Sequence, residues 1–194
     1  VGNQQRVVIS ELSGKGAVLR KAQELGFDLA NDDERVGAVL KALKDREHRG
    51  YHYEAAEASF ELLLREELAP RSPLFHLESW RVITEKRAGG EAVVEATIKV
   101  HVNGDRIIST AEGNGPVNAL DTALRLAIQR KYPDLDQISL VNYRVRILDE
   151  NKGTGAATRV LLDASDGDES WGSIGVSQNI IEASWEALDR KSVV

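Results

Sequence analysis

The second half of the chain repeats one order of elements, and this repeat limits the fold more than any other feature. From Phe75 to Thr84 and again from Ala92 to Val102, apolar and polar residues alternate with the period of two that a strand requires. Asn103-Gly104 follows, a dipeptide suited to a two-residue hairpin, and Arg106 to Thr110 returns as a third strand. Gly113-Asn114-Gly115-Pro116 then opens a helix carrying Val117, Leu120, Leu124, Ala127 and Ile128, with Pro133 just past its end. The order then recurs: a strand from Ile138 to Asp149, a strand from Ala156 to Leu162 and a turn at Asp166-Gly167. A short strand from Ser170 to Ser173, a turn at Gly175 and a helix from Gln178 to Leu188 complete it.

The letters support the repeat. Gly115, Leu120, Ala123, Ala127 and Ile128 correspond to Gly175, Ile180, Ala183, Ala187 and Leu188 at an offset of 60 positions. Upstream, Trp80-Arg81-Val82 matches Tyr143-Arg144-Val145, and Ala96-Thr97 matches Ala157-Thr158, at slightly larger offsets. Two strand-strand-strand-helix units related by a pseudo-two-fold axis are expected. Each has one apolar helix and one half-covered sheet, so neither buries its surface alone.

The first third reads as helices, which makes the whole an α+β chain. Ala17, Val18, Lys21, Ala22 and Leu25 keep helical spacing up to a stop at Gly26. Asp32 and Asp33 are candidate caps for a second helix, with Val36, Val39, Leu40 and Leu43 on one face and Gly50 at its end. A third helix is expected from Glu54 to Leu68, and its apolar surface is wide enough to face a partner. Two prolines in Ala69-Pro70-Arg71-Ser72-Pro73 break the chain, placing a domain boundary between residues 1–70 and 71–194.

Composition removes several classes of function. A net charge of −6 disfavours a general nucleic-acid binder, which needs clustered Lys and Arg. No apolar run nears the roughly 20 residues of a membrane span. The first residues are not a signal peptide, so a soluble, cytoplasmic protein is expected, and an opening Val1 in place of Met points to a fragment or a processed chain. The absence of cysteine excludes disulfides, thiolate metal sites and a cysteine nucleophile.

Among possible sites, the turn at Gly113-Asn114-Gly115-Pro116 is the most informative. A helix start offers free amides and partial positive charge to a carboxylate or phosphate; the plainer reading is a tight strand-to-helix turn. A second such turn at Gly175-Val176-Ser177 would let the pair frame one site. Ser13-Gly14-Lys15-Gly16 lacks the spacing of a phosphate-binding loop and reads as a helix start. His48 and His52 are four apart but enclose Gly50 and lack a third ligand, so no metal is expected there. Asp163, Asp166, Asp168 and Glu169 lack calcium-loop spacing and read as a solvated hairpin tip. No convergent catalytic group is evident, and a purely structural, ligand-free dimerisation domain stays open beside a ligand-binding one.

Several stretches together resemble one family. Val1-Gly2-Asn3, then Val8-Ile9-Ser10-Glu11-Leu12-Ser13-Gly14-Lys15, is similar to the segment after the catalytic barrel of 2-isopropylmalate, homocitrate and citramalate synthases. Glu112 to Leu120 and Gly175 to Ser184 resemble the regulatory-domain signatures of that family. Gly50-Tyr51-His52-Tyr53-Glu54-Ala55-Ala56 and Asn142-Tyr143-Arg144-Val145-Arg146 resemble its citramalate synthase branch, which condenses pyruvate with acetyl-CoA on a route to isoleucine.

The resemblance implies a regulatory dimerisation domain without catalysis of its own. The barrel of the same protein, with its divalent metal, would precede Val1, and this part itself needs no cofactor. It implies a homodimer and a branched-chain amino acid effector, isoleucine or, in the isopropylmalate branch, leucine. Carried over by position, the effector site comprises Asn114, Gly115, Val117 and Asn118, with Leu140, Tyr143 and Ile147 on the following strand and Thr154 and Ala157 beyond it. Val117 stands where some relatives carry a bulkier aromatic, which bears on pocket size and effector identity. Residues Ser13 to Lys21 are implied to help form an active-site lid.

Overall fold

The computed structural model describes residues 14–30, 34–69, 73–148 and 150–191. The Val1–Ser13 motif, the Asp32-Asp33 cap and the Pro70-Arg71-Ser72 part of the break lie outside the described residues. Three helices come first: α1 (Lys15–Glu24), α2 (Glu34–His48) and α3 (Glu57–Leu68). The glycine stops act as expected. Gly50 adopts φ +100, so its own amide reaches Glu47 O and the Tyr51 amide reaches Arg46 O, which satisfies the carbonyls left free at the end of α2.

The third helix begins later than its letters suggest. A 3-10 turn at Tyr53–Ala55 precedes it, and Ala56 (φ −137, ψ 54) breaks the helical path. The reason is burial: Tyr51 and Tyr53 stack with centroids 6.3 Å apart and pack inward on either side of His52, which is extended at φ −143, ψ 114. The wide apolar face of α3 is also accounted for within the chain. Phe60, Leu63 and Leu64 join Val18, Val36, Val39 and Leu43 of the first two helices, and the same cluster takes in Ile174, Leu161 and Val176 from the last sheet.

The rest of the chain is two βββα units. The first has strands β1 (His76–Lys86), β2 (Ala92–Val102) and β3 (Asp105–Gly113) in antiparallel order β1-β2-β3, followed by α4 (Pro116–Ile128). Asn103 and Gly104 both take positive φ, 50° and 87°, as their hairpin requires. The second has β4 (Ser139–Ile147), β5 (Thr158–Ser165) and β6 (Ser170–Ser177) in order β4-β5-β6, followed by α5 (Ile180–Lys191). Alternate residues of β2 (Val94, Ala96, Ile98, Val100) and β5 (Val160, Leu162) meet Ala119, Leu120, Ala123 and Leu124 of α4 and Ala183, Ala187 and Leu188 of α5 in one core. Each unit completes the other.

Three expectations from the repeat need correction. β3 and β6 end at Gly113 and Ser177, and their helices begin at Pro116 and Ile180, so the units are offset by 64 positions (177 − 113 and 180 − 116) and not 60. The difference of four is close to one helical turn, so buried helix letters still matched in the wrong register. On the ladders, Val82 pairs with Ala96 and Val145 with Val160, which makes Val160, not Ala157, the counterpart of Ala96. Gly175 is not a turn either: it lies inside β6 opposite Val160. A Cβ there would collide with the carbonyl oxygen of Ala183, so glycine is what lets α5 lie directly on the strand.

The two sheets differ on their outer faces. That of the first mixes polar residues (Arg81, Thr97, Thr110 and Glu112, with the Thr97 and Thr110 hydroxyls 3.0 Å apart) with the exposed aliphatic side chains of Ile83, Val93 and Ile108. That of the second is covered by the helical segment. There the buried Ser59 hydroxyl accepts a 2.9 Å hydrogen bond from the Ile174 amide, which faces away from the β5 ladder.

Candidate functional site

Both helix starts follow directly from a strand end, but they are finished differently. At the start of α5, Asn179 Oδ1 accepts the amides of Ile181 at 2.9 Å and Glu182 at 3.4 Å, a side-chain cap. At the start of α4 the N-cap is Gly115, extended at φ −172 and without a side chain to cap anything. Pro116 occupies the first turn, and Asn118 turns its Oδ1 back to the Asn114 amide at 3.2 Å. The first turn of α4 therefore keeps the positive end of its dipole unneutralised by any side-chain cap.

These two starts meet at a cavity of about 480 Å³. Asn114, Gly115, Pro116, Val117 and Asn118 form one wall and Ile180 and Ile181 another, and Leu140 and Tyr143 of β4 close the side. Tyr143 is pinned in place. Ser184 Oγ donates to Ile180 O at 2.7 Å, which uses its one proton, so the Tyr143 hydroxyl donates across the 3.1 Å contact to Ser184. The arrangement sets a polar helix start against Val117, Leu140, Ile180, Ile181 and an aromatic ring. It suits a small molecule with a carboxylate at one end and an aliphatic group at the other. A second cleft, about 730 Å³, is lined by Glu54, Glu57, Arg144, Asp163 and Trp171 and is far more polar.

Of the residues named from sequence, Asn114, Gly115, Val117, Asn118, Leu140 and Tyr143 line the one cavity. Ile147 does not; it lies four residues beyond Tyr143 on the same face of β4 and is 53% exposed. Thr154 sits exposed in the irregular 3-10 stretch Glu150–Gly155, and Ala157 lies just ahead of β5; neither reaches the cavity. Pro116, Ile180 and Ile181 were not foreseen as wall residues. The signal was in the repeat: at an offset of 64, Pro116 and Val117 map onto Ile180 and Ile181, whereas an offset of 60 hid them one turn too early.

Gly14 is the N-cap of α1, its carbonyl accepting the Ala17 amide, while Ser13 lies outside the described residues. His52 Nε2 stands 3.9 Å from Glu54, and among the described residues no three His, Asp or Glu side chains gather as a metal set. Asp166 Oδ1 accepts the amides of Asp168 and Glu169 at the β5–β6 tip, bonds that hold its carboxyl below the usual range. No described helix is long and apolar enough to cross a membrane.

Residues 54–190 match the family of the LeuA allosteric (dimerisation) domain. The chain belongs to this family. It is 52% identical over 191 residues to an (R)-citramalate synthase of Streptomyces coelicolor, covering 97% of this chain and 36% of that protein. An (R)-citramalate synthase of Synechocystis is 47% identical over 192 residues, covering 97% and 35%. A 2-isopropylmalate synthase of Aquifex aeolicus is 28% identical over 186 residues, covering 94% and 32%. The chain thus spans about a third of the length of these curated relatives. The family match includes α3, which packs on the second sheet, and leaves α1 and α2 outside it.

Proposed function

We propose that this LeuA dimerisation-domain chain is the feedback-sensing and dimerising part of an (R)-citramalate synthase, and that its cavity holds a branched-chain amino acid, isoleucine in preference to leucine. The observation carrying this reading is the cavity itself, where an uncapped helix start faces an aliphatic and aromatic wall drawn from both repeat units. In this reading the first-turn amides of α4 take the effector carboxylate, and Val117, Leu140, Ile180 and Ile181 take its branched side chain. The greater identity to (R)-citramalate synthases than to the 2-isopropylmalate synthase supports isoleucine over leucine.

The remaining two thirds of such a protein would supply a catalytic barrel with its divalent metal, where pyruvate and acetyl-CoA condense in the cytoplasm. Residues 1–70 would connect that barrel to a regulatory unit in 71–194, with Ser13 to Lys21 serving its active-site lid. Effector binding then acts by linkage: a preference of about 1–3 kcal/mol for one arrangement of the dimer changes activity noticeably.

Calorimetric titration with isoleucine, leucine and valine in parallel tests the reading. Saturable heat with isoleucine alone supports it, and a leucine preference moves the chain to the isopropylmalate branch. No binding by a folded dimer leaves dimerisation as its only role.

A further inference from the structure

Helix α5 spans 12 residues, about 18 Å, and its two halves touch different things. Its first turn gives Ile180 and Ile181 to the cavity. Its last two turns grip the helical segment. Glu186 Oε1 accepts a 2.5 Å hydrogen bond from the hydroxyl of Tyr51, a residue 135 positions earlier in the loop after α2. The same carboxylate accepts the Val176 amide of β6 at 3.0 Å and Arg190 at 2.7 Å. Arg190 also lies 5.3 Å over the Tyr51 ring, with Arg49 at 5.5 Å.

The loop itself has little freedom. Arg159 of β5 donates to Gly50 O at 2.6 Å, and Leu148 fills the space beside Gly50 where a Cβ would stand. Tyr51 is 6% exposed, so its hydroxyl has Glu186 in place of water. Losing that bond would leave a polar group unsatisfied at the junction. A rigid helix with a ligand wall at one end and a carboxylate clasp of three hydrogen bonds at the other can carry a displacement between them.

We propose that the Tyr51–Glu186 clasp is the joint through which the helical segment responds to occupation of the cavity, with α5 as the connecting rod. Glu186 and Tyr51 are positioning residues in this scheme, since neither lines the cavity. The proposal rests on the cavity being the effector site, and the test separates the two.

Isoleucine heat is measured by calorimetry, and backbone amide exchange is followed by mass spectrometry with and without saturating isoleucine. The whole chain is used, as wild type, Tyr51→Phe and Glu186→Gln. In the wild type, isoleucine is expected to change exchange in residues 46–60 by about fivefold or more, beside protection at 114–120. Tyr51→Phe is expected to bind isoleucine within about threefold of wild type and protect 114–120, yet to lose most of the 46–60 response. Glu186→Gln, which keeps the shape of the side chain, serves the same purpose should Tyr51→Phe fold poorly. Isoleucine heat with an undiminished 46–60 response in both folded variants overturns the clasp alone, as does a wild type that binds without any response there. Absence of isoleucine heat in the wild type overturns the cavity reading and the clasp with it.

Discussion

Ser59 and Asp189 show how far single residues depend on partners that no local pattern reveals. Ser59 is fully buried on α3 and serves the Ile174 amide, 115 positions away, so its letter in a helix carried no hint of the role. Ser59→Ala leaves that buried N–H without its acceptor and is expected to cost about 1–3 kcal/mol in urea unfolding; a loss near zero would mean the amide finds another partner. Burial pushes the Asp189 carboxyl up to about 6, with Glu186 and Glu66 adding to the rise and Arg190 opposing it. The native state therefore holds this proton more tightly than the unfolded chain, so stability falls as pH rises from the ordinary carboxylate range, about 4, through 6. Asp189→Asn is expected to melt higher than wild type at pH 8, with the advantage shrinking below pH 5. An advantage that stayed constant with pH would refute that account. By contrast, Asn103-Gly104 and Pro116 were legible on their own, because backbone angles there are set by the residue types themselves.

At the scale of elements, period and punctuation placed the described strands and α-helices, since alternation, proline and glycine act locally, but not the 3-10 turns at Tyr53–Ala55, Pro133–Gln137 and Glu150–Gly155. Register was harder. Two βββα units repeat small buried letters every turn of helix, so an offset of 60 fitted almost as well as the 64 the elements follow. Gly175 was misread because close packing of α5 on β6 demands glycine for want of space, a cause indistinguishable in sequence from a turn. The same scale explains the site: Asn114 to Asn118 were readable as one helix start, while Ile180 and Ile181 needed the true register. The contrast between the capped α5 and the glycine-started α4 gives a direct prediction. Gly115 has an ordinary extended φ and open space where a Cβ would be added, so Gly115→Asp should fold normally. Its carboxylate would occupy the helix start and lower isoleucine affinity by about tenfold or more, with the melting temperature unchanged or raised. Undiminished binding by calorimetry would place the effector carboxylate elsewhere.

At the scale of the molecule, the shared core between the two units was expected from their half-covered sheets, and it holds. The part of the helical segment was not foreseen: it packs on the outer face of the second sheet and leaves that of the first open, with Ile83, Val93 and Ile108 exposed among polar residues. Membership of a dimerisation-domain family leads to the expectation that sedimentation equilibrium returns twice the 21.3 kDa chain mass; a monomer at all concentrations would contradict it. The central claim is that the starts of α4 and α5 jointly enclose the effector. Amide chemical shifts of the isotopically labelled chain, followed during isoleucine titration, test it most directly. The account predicts saturating shifts centred on Asn114, Gly115, Val117, Asn118, Ile180 and Ile181. Saturating shifts that leave all six unmoved and centre on the polar cleft around Arg144 and Trp171, or anywhere else, would contradict it.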